Sequence, residues 1–112
     1  MRFRSLAFAL AIVSATAFAE VKPLPSSQWP STAVGAVPLI IAALTPAQRS
    51  IVMGTSKENL FMLQAEWGED IETLLGLNAG NTALVAATCA QPCRVNKATL
   101  LLMEAAWEAL SK

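Results

Sequence analysis

Thr55-Ser56-Lys57-Glu58-Asn59-Leu60-Phe61-Met62-Leu63-Gln64-Ala65-Glu66-Trp67-Gly68-Glu69-Asp70-Ile71-Glu72-Thr73-Leu74-Leu75-Gly76 carries the clearest helical pattern in the chain. Leu60, Leu63, Trp67, Ile71, Leu74 and Leu75 recur at steps of three and four residues, which places them on one stripe of an α-helix. Asn59, Glu66, Glu69, Asp70 and Thr73 fall on the opposite side. Thr55 followed three residues later by Glu58 reads as a capping box, and Gly76 reads as the helix stop. The stretch therefore predicts one continuous amphipathic helix with its apolar stripe turned to a core.

The same reading extends in both directions. Toward the C-terminus, Gly80-Asn81-Thr82 opens a shorter helix that runs to about Cys89, with Asn81 or Thr82 as cap. After the segment Cys89-Ala90-Gln91-Pro92-Cys93, Asn96 reads as the cap of a last helix, Lys97 to about Ser111. Its main stripe is Leu100, Met103, Trp107 and Leu110, widened by Leu101 and Leu102. Toward the N-terminus, Thr45-Pro46-Ala47-Gln48 combines a cap, a proline at the first helical position and a residue that can complete a box. That helix runs to about Met53 and stops at Gly54. A short apolar helix, about Val37 to Leu44, precedes it, with Pro38 in its first turn. No alternating strand pattern is present. The expected fold is all-α, a small irregular bundle of four to five short helices over residues 33–112, with one intrachain disulfide.

Residues 20–32 hold Pro23, Pro25, Pro30, Ser26, Ser27 and Ser31 and little periodic apolar content. They read as a tether, because such a segment buries too little surface to offset its ordering entropy. Trp29 is its exception. That residue is the best single candidate for a partner anchor, and packing against its own domain is the competing reading. Residues 1–19 read as a cleavable signal peptide. Arg2 and Arg4 form a positive start, Leu6 to Ala15 an apolar run, and Ala17-Phe18-Ala19 a small-x-small cleavage site. The apolar run is too short for a membrane span of about 20 residues. The expected localisation is periplasmic or secreted, with cleavage after Ala19.

Cleavage would leave 93 residues with six Lys/Arg against eight Asp/Glu, a net charge of −2. That balance argues against nucleic acid as a partner, which calls for a basic stripe. No second apolar run is long enough to cross a membrane. At this size a single core is marginal and extra bracing is expected. Cys89 and Cys93 are the only cysteines. In an oxidising compartment the pair reads as a disulfide that staples a tight turn. A redox site would place Cys-x-x-Cys at a helix N-terminus. Here the spacing is one longer, and Cys89 sits at a helix end, where the dipole disfavours a thiolate.

The chain has no histidine and no tyrosine, which removes the commonest general acid/base, the usual metal ligand and the serine–histidine couple. Two cysteines without histidine do not make a zinc site of the usual kind. No phosphate-binding glycine loop is present. No cofactor, metal site or catalytic residue is expected. The one acidic constellation is Glu66, Glu69, Asp70 and Glu72. A solvated helix face explains it; a docking patch for a basic partner is the functional alternative, and acid/base catalysis a third. Trp67 and Trp107 fall on core stripes. Met62 falls near the polar side, a hint of contact. The candidate partner-binding residues are thus Trp29, Met62, Glu66, Glu69 and Asp70.

The run Glu58-Asn59-Leu60-Phe61-Met62-Leu63, then Gly68, Ile71 and Gly76-Leu77-Asn78-Ala79-Gly80-Asn81, with Glu104-Ala105-Ala106-Trp107-Glu108-Ala109-Leu110 in the last helix, resembles an uncharacterised family of small bacterial helical domains. That family carries a Glu-Asp-Leu-Ile start, a Gly-Leu-Trp-x-Gly-Asn turn and a closing Ala-Leu-Trp segment. The resemblance spans about Leu44 to Leu110 and implies the fold. It implies no activity. The chain departs from the family at Gln64, where the family has histidine, at Glu72-Thr73, where it has Arg-Asn, and at Asn78, where the turn has tryptophan. The expected function is a non-catalytic periplasmic protein-binding module. Alternatives are an immunity-type inhibitor of a periplasm-targeted toxin, an envelope structural or stress component, and an enzyme acting through the acidic cluster.

Overall fold

The structure, a computed structural model, describes residues 21–112. The expected signal peptide lies outside the described residues. Within them the fold is all-α, with five α-helices and no strand. These are α1 (Ala33–Ala42), α2 (Pro46–Met53), α3 (Glu69–Leu75), α4 (Thr82–Thr88) and α5 (Val95–Leu110). No helix among them is long and apolar enough to cross a membrane.

Local chemistry sets several of the ends. The Gln48 amide donates to Thr45 Oγ1 at 3.1 Å and the Thr45 amide donates to Gln48 Oε1 at 2.8 Å, so the capping box of α2 is complete. The Leu84 amide donates to Asn81 Oδ1 at 3.3 Å and caps α4. Gly76 ends α3 in the left-handed conformation, φ 69°, and the Gly76 and Leu77 amides both donate to the Glu72 carbonyl.

Other ends differ from the expectation. Helix α1 starts four residues earlier than Val37, because Thr32 Oγ1 accepts from the Gly35 amide at 3.1 Å and nucleates the first turn there. Pro38 consequently sits in the second turn. The carbonyl it cannot satisfy belongs to Val34, which is 85% exposed and can be solvated instead. Helix α5 starts at Val95 with Arg94 at the cap position and no side-chain cap. Asn96 lies inside the first turn, where its carbonyl accepts from Gln64 Nε2 at 2.7 Å.

The largest correction concerns 55–75. The expected capping box does not form, because the Thr55 hydroxyl donates back to the Ile51 carbonyl at 2.8 Å and its own carbonyl accepts from Trp107 Nε1 at 2.8 Å. The chain then takes a 3₁₀ run, Lys57–Leu63, and a π segment, Gln64–Gly68, before α3 begins. An over-wound stretch is succeeded by an under-wound one, and Leu60, Trp67 and Ile71 all still reach the core. Leu63 remains partly buried. The π segment is seated on α5: a Cβ on Gly68 would lie 3.3 Å from Thr99 Cγ2, so glycine permits the close approach.

Helix α5 crosses the middle of the molecule and packs on α1. Its buried stripe is Ala98, Thr99, Leu102, Met103 and Ala106. Leu100, Trp107 and Leu110, expected on the main stripe, are only partly buried. The two alanines admit the neighbouring elements closely, which turns the helix so that Leu102 faces the core centre.

The stretch read as a tether is laid on the domain. The Leu24 amide donates to the Leu74 carbonyl at 3.0 Å, and Val21 and Leu24 pack against the core. Ser26–Gln28 form a 3₁₀ turn that brings Trp29 back, and its Nε1 donates to the Leu24 carbonyl at 3.2 Å. The indole lies on Gly76, where a Cβ would overlap it. Asn81 Nδ2 completes the attachment by donating to the carbonyls of Leu75, at 2.8 Å, and Pro30, at 3.2 Å.

Candidate functional site

The sequence candidates divide into two places. Trp29 is half-buried and engaged on Gly76, well removed in role from a free anchor. Met62, Glu66, Glu69 and Asp70 lie along the 3₁₀–π–α3 run. Met62 is 66% exposed, and its neighbour Phe61 is 57% exposed. Leu60, immediately before them, is fully buried and pins the turn that displays both. Sequence reasoning does not single out Phe61. The available signal is its position off the Leu60–Leu63–Trp67 stripe, the same signal that marks Met62. Ile51 and Met53, at the end of α2, are also partly exposed, so among the described residues four of the five exposed large apolar side chains fall between residues 51 and 62.

The carboxylates follow this apolar ridge. Glu58 stands one 3₁₀ turn before Phe61, and Glu66 stands one turn after Met62. Glu58, Glu66 and Glu69 are exposed. Asp70 differs. Its Oδ2 is buried and has no hydrogen-bond partner among the described residues. Burial first, and the neighbouring charges of Glu69 and Glu66 second, push its carboxyl up to about 6. It borders a cavity of about 10 Å³ shared with Val21, Gln48 and Trp67, room for one water at most.

Glu72 is used by the fold. One carboxylate oxygen accepts from Thr99 Oγ1 at 2.8 Å and the other from Asn78 Nδ2 at 2.9 Å. A cleft of about 480 Å³ between Pro23 and Asn78 takes in Glu69 and Glu72, but neither Glu66 nor Asp70 lines it. The acidic residues therefore do not converge on that concavity. Among the described residues no group of three or more His, Cys, Asp or Glu side chains is arranged to hold a metal ion.

Cys89 and Cys93 are paired, with Cα atoms 6.2 Å apart, inside the range a disulfide spans. Cys89 ends α4, its amide donating to the Val85 carbonyl, and Cys93 leads into α5. The bridge thus clamps the corner between these two helices. No protein-family model, curated protein or solved structure matches this chain.

Proposed function

We propose that this chain is an exported, non-catalytic protein-binding module that docks its partner on the Phe61–Met62 ridge. The observation that carries the reading is the pair itself: two large apolar side chains, consecutive in sequence, are both exposed on a 3₁₀ run that leads into a π segment. Exposed apolar side chains scattered singly are ordinary, but an adjacent pair rimmed by charge has the composition of an interface centre. A seven-residue 3₁₀ run is longer than usual, and irregular turns of this kind are over-represented at functional positions. The lack of histidine and tyrosine, together with the engagement of Glu72 inside the fold, supports a role without catalysis.

The test is a photo-crosslinking amino acid placed at position 61 or 62 of the full-length chain in producing cells, with position 34 as control. Val34, on α1, is a third large apolar residue strongly exposed among the described residues. A discrete adduct with one exported protein from 61 and 62, and none from 34, is the expected result. Equal adducts from all three positions, or none, would sink the reading. The mass of the exported product separately tests cleavage after Ala19.

A further inference from the structure

We infer that the partner segment received by the Phe61–Met62 ridge is a basic amphipathic one, part of a protein that presents Lys or Arg beside apolar side chains. The inference rests on the docking reading above and adds the partner's charge.

From Glu58 through Cys93 the chain carries five carboxylates and no Lys or Arg. Glu72 is occupied by Thr99 and Asn78. Glu58 before the pair and Glu66 after it are exposed, and so is Glu69 further on, which also lines the cleft at Pro23 and Asn78. The adjoining cation, Lys57, is paired with Glu108 of α5 and also feels Glu58, which leaves Glu66 and Glu69 as the carboxylates beyond its salt bridge. Burial first, and then the charges of Glu69 and Glu66, hold the Asp70 carboxyl above its ordinary range, which sets these three carboxyl groups close enough to act on one another.

Covering Phe61 and Met62 brings any partner's polar rim against these carboxylates. An acidic rim meets like charge, and a neutral rim leaves the carboxylates partly desolvated without a partner. A basic rim supplies the missing cations while its apolar side chains cover the ridge. The spacing suits an amphipathic helix or extended segment: carboxylates occur about one turn before and one to two turns after the apolar pair, so cations would flank the partner's apolar anchor. An anionic lipid surface fails the same charge criterion.

The experiment uses the exported chain purified from cells making the full-length protein. Three designed amphipathic peptides share one apolar face and carry Lys, Glu or Ser/Gln on the polar face. The Lys peptide should bind about tenfold or more tighter than the Ser/Gln peptide, and the Glu peptide least. Its affinity should fall severalfold as salt rises from about 50 to about 200 mM. Phe61→Ser with Met62→Ser, and separately Glu66→Gln with Glu69→Gln, should each weaken it by about tenfold, with melting curves checked for retained folding. Equal, salt-independent binding of all three peptides, lost on the Phe61/Met62 substitutions, would overturn the charge inference and leave the docking reading standing. No binding by any peptide overturns the inference and leaves the docking reading to the crosslinking result. Binding to phosphatidylglycerol vesicles in preference to the Lys peptide would also overturn it.

Discussion

Asp70 shows how much one side chain depends on what is packed over it. On the sequence it is one of several carboxylates on a polar face. In the structure it borders a small cavity with Gln48, Trp67 and Val21, one of its oxygens is buried without a partner among the described residues, and its carboxyl is pushed up to about 6. A carboxyl whose folded pKa lies above its ordinary 3.8 favours folding when protonated. Its contribution is fully present below pH 3.8 and is lost as pH rises through about 6. Asp70→Asn removes that titration. The variant should be more stable than the parent at pH 7, by about 1 kcal/mol once the group's partial exposure is allowed for, and the difference should vanish near pH 4. Urea unfolding at a series of pH values measures it. A parent curve that does not fall relative to the variant between pH 4 and pH 7 would contradict the assignment. Asn81 makes the complementary point. Its role as helix cap was legible, because a cap is a bond between residues three apart. Its bonds to Leu75 and Pro30 were not, because they join segments that only the folded chain brings together.

At the scale of elements, what was legible was local and what was missed was imposed. Helix α2, Pro46–Met53, is capped at Thr45 and stops at Gly54 as read, since its box, its proline and its stop lie within ten residues. The stripe from Leu60 to Leu75 identified the right core residues but the wrong helix type for its first half. Side-chain spacing reports which residues face inward; it does not report how the backbone winds between them when Gly68 is pressed against Thr99 and Gln64 is tied to Asn96. Helix α4 has seven residues, too few to persist alone. It is held by Asn81 at one end and by the Cys89–Cys93 bridge at the other. Replacing both cysteines with serine should cost about 2 kcal/mol or less, given the short loop that the bridge closes. Amide exchange should accelerate first in residues 82–88 and only weakly in α5. Uniform acceleration across the whole domain would show that the bridge braces more than this corner.

Over the whole molecule, the N-terminal strap is the feature that most changes the picture. Composition made residues 20–32 a tether. Three apolar side chains and one backbone hydrogen bond to Leu74 attach it, and the left-handed Gly76 provides the surface on which Trp29 lies. For a domain this small, the strap covers core that the helices alone would leave open. Gly76→Ala tests strap and helix stop at once. The substitution forces a left-handed alanine and drives a methyl group into the indole. It should cost about 2 kcal/mol or more. Chemical denaturation reads the loss, and easier proteolysis within residues 21–30 should accompany it. A variant as stable as the parent would mean that Trp29 does not rest on this glycine.

Read alone, the amino-acid order settles the all-α class, the cap at Thr45, a cap at Asn81 or Thr82, the stop at Gly76, the pairing of Cys89 with Cys93 and the core positions Leu60, Trp67, Ile71, Leu74, Leu75, Leu102 and Met103. Each of these depends on bonds or periodicity within a few residues, where backbone geometry is the same in any fold. The folded chain alone sets the 3₁₀–π course of 57–68, the rotation of α5 toward Leu102, the docking of Trp29 and the exposure of both Phe61 and Met62. These depend on contacts between segments tens of residues apart. There, close packing against a partner element outweighs the small free-energy differences among local conformations.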